Sequence, residues 1–174
     1  MARVRLAAHA ALLLVLLLGG MVSPSLVPRP GAMQPVAAVT WPPSQGLLVA
    51  EVVTGGVSAS DEYVELTNAG AVPLDMAGLE IVYATSSGAT VTRKASWTAP
   101  LVLEPGRHLL LANSLGIHAA SADATYSGGL AATGGTIVLR PIGGTPLDAV
   151  GWGDATNAFV EGTAAPAPAA GRSI

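Results

Sequence analysis

Residues 62–83 read EYVELTNAGAVPLDMAGLEIVY, and this stretch decides the fold. In YVELTN, residues 63–68, Val64 and Leu66 point one way and Tyr63, Glu65 and Thr67 the other. In LEIVY, residues 79–83, Leu79, Ile81 and Tyr83 share one side. A repeat of two is that of a half-buried strand, because successive Cβ atoms leave opposite faces of a sheet. Between the two runs, AGAVPLD over residues 69–75 is turn chemistry, with Leu74 placed to plug a core.

The same grammar continues on both sides. Leu47–Val53 (LLVAEVV) is rich in β-branched residues and closes on Thr54-Gly55-Gly56. Ser86-Ser87-Gly88 predicts a hairpin turn, with Thr90–Trp97 as the returning strand. Leu101-Val102-Leu103 leads into Glu104-Pro105-Gly106, a type II turn signal in which Pro presets the first central φ and Gly takes the positive second one. His108–Ala112 (HLLLA) reads as a strand buried on both faces. The stretch 113–130 is polar and small, and it is expected to be a long loop with at most one short helical turn between residues 115 and 124. Gly135–Arg140 and Leu147–Trp152 are the last strands, joined through Gly143-Gly144, and the Gly pairs at 55–56, 128–129, 134–135 and 143–144 read as turns. No segment of helical length has a 3.6-residue period. Six to eight short strands spaced in this way predict an all-β, two-sheet sandwich with Greek-key connections.

The 174 residues suffice for one domain and an export segment. Arg3 and Arg5 precede the apolar run Leu6–Leu18, so residues 1–25 read as a signal peptide, expected to be cleaved, the alternative being a retained membrane anchor. Residues 26–45 form a Pro-rich spacer, and 46–174 the folded domain. The expected location is secreted or extracytoplasmic. Cysteine is absent, which excludes disulfides, thiolate metal sites and a cysteine nucleophile. The core must then carry the stability, and with Phe159 the single phenylalanine it should be aliphatic. From Val39 onward five Lys/Arg face eleven Asp/Glu, a balance of −6. That argues against a phosphate-backbone binder and a basic membrane-docking patch.

Taken together, LLVAEVV, DEYVELTNAGAVPLDMAGLEI, LEPGRHLLLA and GGTIVLRPIGGTPLDAVGWG resemble the lamin-tail domain in its bacterial, exported form. The resemblance extends over about 46–174, and its most specific part is Glu62–Gly78. It implies an immunoglobulin-like β-sandwich that docks partners and has no catalytic residue set. Two positions depart from the family pattern: Leu79 stands where an aromatic is common, and Ile174 ends the chain where an arginine usually follows the Ser, so either the last edge strand is expected to be incomplete or the chain to be a fragment of a longer one.

Individual residues were weighed for chemistry. His108 or His118 with Ser114 or Ser121 and Asp123 would supply a hydrolytic triad, but no Gly-x-Ser-x-Gly elbow exists and both histidines read as surface groups. Glu51, Asp61, Glu62 and Glu65 would offer oxygen ligands to calcium, but the Asp-x-Asp-x-Asp spacing is missing and they read as solvated strand-edge charges. Trp41, Trp97 and Trp152 would stack on sugars, with Trp152 reading as core and Trp41 as spacer. No catalytic, cofactor-binding or metal-binding residue is assigned. The expected function is a non-catalytic binding or structural module for a protein or cell-envelope component, the alternative being a carbohydrate- or calcium-dependent surface-adhesion domain. Loop 113–130 and the last strand near Ser173 are the expected contact surfaces. Contact with a membrane is expected only through an uncleaved N-terminal segment.

Overall fold

A computed structural model describes residues 46–174, so the signal and spacer readings over residues 1–45 lie outside the described residues. Ten strands follow one another: β1 (Leu47–Thr54), β2 (Glu62–Asn68), β3 (Leu74–Asp75), β4 (Leu79–Thr85), β5 (Val91–Ser96), β6 (Val102–Leu103), β7 (His108–Asn113), β8 (Ala124–Tyr126), β9 (Gly134–Pro141) and β10 (Asp148–Gly153). One sheet has the order β1-β2-β7-β8 and the other β10-β9-β4-β5, while β3 and β6 make a two-stranded ribbon. β2 and β7 are neighbours although four strands separate them in the chain, because β4 and β5 lie in the opposite sheet. This is the Greek-key crossing of a sandwich. Among the described strand pairs β7–β8 alone is parallel.

The alternation in β2 sets its register. Val64 and Leu66 are fully buried, while Tyr63, Glu65 and Thr67 are half-buried on the other face. They meet Leu109 and Leu111 of their own sheet and Ile81, Tyr83, Ile137, Leu139 and Trp152 of the other, in one core. That core is less aliphatic than composition implies, since Trp152, Tyr83, Tyr126 and Met76 are all buried in it.

Strand β4 is buried on both faces. On its outer side Val82 joins Val138, Ala149 and Phe159 in a second cluster. Glu80 shares that side and is buried, so its charge must be matched. Arg93 Nε donates to Oε2 at 2.6 Å, and Arg140 Nε and the Gly143 amide donate to Oε1 at 2.8 and 3.0 Å. Burial works against the charge, but these donors outweigh it and hold the carboxyl below its ordinary 4.5.

Four expectations need correction. HLLLA is not buried on both faces: His108 is exposed and Leu110 half-buried, because only Leu109 and Leu111 face the other sheet. The stretch 113–130 is not one long loop, since strand β8 lies in it; the one short helical turn expected there at most is the 3-10 turn at Ala119–Ser121. Gly134-Gly135 is the start of β9 rather than a turn. A Cβ on Gly135 would collide with the Tyr83 ring, so the strand backbone there doubles as the floor under an aromatic. The strand count is ten, because two-residue ladders are too short to show a period.

Sheet edges are covered unequally. Asp148 Oδ2 accepts the Val49 amide of edge strand β1 at 2.7 Å, and Val52 and Ile174 exchange backbone bonds of 3.0 and 3.1 Å. Ser173 bridges Val53, so the closing segment is docked along β1. On β10, Gly153 and Gly151 bond Ala165 at 2.8 Å each. The other side is bridged by a side chain. β5 pairs with β4 through Arg93 and Ala95 opposite Val82 and Ile81, leaving Lys94 as the extra, bulged residue. A bulge redirects a side chain, and here it turns Lys94 inward, where it is buried. Its ammonium donates to the carbonyls of Ser127, Gly128 and Gly129 at 3.2, 2.9 and 3.1 Å.

Candidate functional site

One end of the sandwich carries the loop between β1 and β2 and the loop that follows β7. Asp61 joins them. It is buried, its Oδ2 accepts the Ser58 amide at 2.7 Å, and its Oδ1 accepts the Ile117 amide at 3.1 Å. The backbones approach so closely that a Cβ on Gly116 would strike the Ser60 carbonyl, which requires glycine there. Behind Asp61 lies Glu62, also buried, accepting from Asn113 Nδ2 at 2.8 Å and the Leu130 amide at 2.7 Å. Asn113 Oδ1 in turn accepts the Leu115 amide at 3.1 Å.

These bonds fix loops whose apolar side chains nevertheless point into solvent. Val57 is 105%, Leu115 84% and Ile117 73% exposed. Isolated exposed aliphatics are common on any surface, but three on adjoining, tethered loops form a preformed apolar prominence. Beside it lies a depression of about 340 Å³ that includes Tyr63, His118 and Arg172. The Tyr63 and His118 rings meet edge to face at 5.0 Å. Burial, helped by a hydrogen bond to Glu51, pushes the Tyr63 phenol up to about 12.

The residues weighed in the sequence fall as follows. Ser114 lies just past the end of β7 and His108 at its start, so that pair is a strand's length apart. His108 Nδ1 meets Glu65 Oε1 at 2.7 Å, and Asp123 Oδ2 accepts the Leu110 amide at 2.8 Å, so neither is set against a serine. The four carboxylates do not converge. Asp61 and Glu62 are buried and bonded inside the fold, contrary to the solvated edge expected, while Glu51 and Glu65 face each other across β1–β2. Among the described residues no group of three or more His, Asp or Glu is placed to hold a metal ion. Trp152 is in the core, Trp97 is half-buried, and Trp41 lies outside the described residues. Leu115 and Ile117 lie in the 113–130 stretch expected as a contact surface, whereas Val57 lies outside it, and none of the three is singled out in the sequence. Their signal was present: each is a lone aliphatic in a Gly/Ser-rich turn, with no strand to carry it inward.

A sandwich with a Greek-key crossing is shared by many unrelated domains. Here the family model described as Lamin Tail Domain matches residues 41–154, more than half of the chain. The chain belongs to the lamin tail domain family. The lamin tail match ends just after β10, so the segment that covers the β10 and β1 edges lies beyond it. The lamin tail domain is in general a non-catalytic domain. No curated protein matches the sequence.

The tethering carboxylates predict acid sensitivity. Asp61 is held below its ordinary 3.8 by the Ser58 and Ile117 amides, Asp75 by those of Ala77 and Leu101, and Glu80 is likewise lowered. A folded-state pKa below the unfolded one gives stability that is present above the unfolded value and lost as pH falls through the folded one. Burial raises Asp148, which has the opposite sign. Thermal unfolding followed from pH 6 downward should show a melting temperature that falls steeply below about pH 4. A flat profile to pH 2.5 would contradict the role given to these groups.

Proposed function

We propose that this chain is an exported, non-catalytic lamin tail module that docks a protein or cell-envelope component through the prominence of Val57, Leu115 and Ile117. The observation that carries the reading is the combination of full exposure with rigid tethering by Asp61. Ordered loops lose little conformational freedom on binding, so apolar contact there converts more fully into affinity. Export is supported by Arg3, Arg5 and the apolar run Leu6–Leu18. The mature charge of −6 with no basic stripe favours contacts with little salt dependence.

The test is cross-linking in cell-envelope and medium fractions, comparing the unaltered chain with a Val57→Ser/Leu115→Ser/Ile117→Ser variant. Capture should drop at least about tenfold, since each buried aliphatic contributes about 1.5–3 kcal/mol to such contacts. The melting temperature should be unchanged, because these side chains are largely exposed and none belongs to the core. Equal capture by both forms would move the docking surface elsewhere. Shortening residues 114–129 is the poorer experiment, since it removes the acceptors of Lys94 as well as β8.

A further inference from the structure

A second groove lies at the opposite end of the first sheet, where β7 begins. Thr67 pairs with His108 there, whereas Tyr63 pairs with Ala112 at the end just described. The groove holds about 320 Å³, room for one sugar-sized ring, and is framed by Trp97, Glu104, Arg107, His108 and Asp123. We propose that it binds a neutral carbohydrate, with one pyranose ring seated on Trp97. This goes beyond the docking function above and uses none of its residues.

The platform is fixed. The Trp97 amide donates to Leu79 O at 3.0 Å, its carbonyl accepts the Gly78 amide at 2.7 Å, and the half-buried side chain packs against the core on one side while lining the groove on the other. An indole face offers a flat apolar surface to the C–H face of a pyranose, while the ring's hydroxyls stay at the rim for hydrogen bonds. The rim is fixed as well. The Arg107 amide donates to Glu104 O at 3.0 Å, closing the turn that presents both exposed side chains. Asp123 is tied to the Leu110 backbone through its amide (2.9 Å) and its Oδ2 (2.8 Å). His108 uses Nδ1 on Glu65 and keeps Nε2 for a ligand.

The charges choose the class. Arg107 stands with Glu104 and Asp123, so both signs line one small groove. A phosphate or nucleic acid would meet two carboxylates, and a cation would meet a guanidinium. A neutral ligand rich in hydroxyls uses both, because its hydroxyls donate to a carboxylate or to His108 Nε2 and accept from Arg107.

Full chain titrated with cellulose-, chitin- and amylose-type oligosaccharides, read by calorimetry and tryptophan fluorescence, tests this. Polygalacturonate and oligothymidylate serve as charged comparators. At least one neutral probe should bind saturably. Arg107→Ala and Glu104→Ala should each weaken it about tenfold, the loss expected for a hydrogen bond to a charged group. Their melting temperatures should not move, since both side chains are exposed. Trp97→Leu should abolish binding and Trp97→Tyr keep part of it; if Trp97→Leu does not fold, the two rim variants decide. The Val57/Leu115/Ile117 triple variant should bind the sugar as the unaltered chain does, which separates this site from the docking end. The proposal is overturned if no neutral probe saturates, if both rim variants bind normally, or if a charged comparator displaces the neutral probe.

Discussion

Replacing Trp152 with alanine is expected to lower unfolding free energy by about 3–5 kcal/mol, the cost of truncating a fully buried aromatic. Trp152 is completely inaccessible and is the largest of the fully buried side chains. It stacks on Tyr83 with 6.0 Å between ring centroids, and its Nε1 donates to Ala131 O at 2.9 Å. The variant therefore leaves a cavity, removes an aromatic pair and strands a carbonyl. Trp152→Phe isolates the last of these, keeping a ring but no donor, and should cost about 1–2 kcal/mol. Denaturant unfolding followed by circular dichroism, with m unchanged, would measure both. Matching midpoints for Trp152→Ala and the unaltered chain would mean that the second sheet does not pack as described.

Trp152 shows why most of this fold was legible. It follows an apolar run and precedes a glycine, so a core position was readable without a structure, as were the β2 register, the Ser86–Gly88 hairpin and the Glu104–Gly106 turn. Gly88 and Gly106 take φ of 75° and 73°, the left-handed values that those turns demand. All of these depend on neighbours in sequence. What was not legible depends on partners far away. Asp61 and Glu62 look like surface charges until residues 113–130 fold over them, and Glu80 looks solvated until Arg140, sixty residues on, reaches it. Strand β8 has three residues and is recognised only by its parallel pairing with β7. The exposure of Val57, Leu115 and Ile117 is legible in their Gly/Ser-rich turns, but nothing in the sequence places the β1–β2 loop beside the loop that follows β7.

Lys94 is the most demanding of these long-range contacts, and Lys94→Met should cost about 2–4 kcal/mol. Methionine keeps the length of the stem and removes the ammonium, so the loss is polar rather than volumetric. Three carbonyls, of Ser127, Gly128 and Gly129, lose their donor. The cation also sits 4.9 Å from the Tyr126 ring centroid and 5.5 Å from that of Tyr83, and both contacts vanish. Burial lowers the Lys94 pKa from 10.5, and the nearby Glu62 carboxylate pulls the other way. Removing the ammonium leaves Glu62 buried with only neutral donors, Asn113 and the Leu130 amide. Lys94→Met combined with Glu62→Gln should therefore cost less than the sum of the two single changes. The damage should be local before it is global. Residues 127–131 are held by Lys94 at one end and contact Trp152 through Ala131 at the other, so hydrogen exchange at the Leu130 amide should accelerate more than at Val64 in mid-strand. A Lys94→Met chain within about 0.5 kcal/mol of the unaltered one, with the Leu130 amide equally protected, would show that the bulge in β5 turns the side chain inward without closing that side of the sandwich.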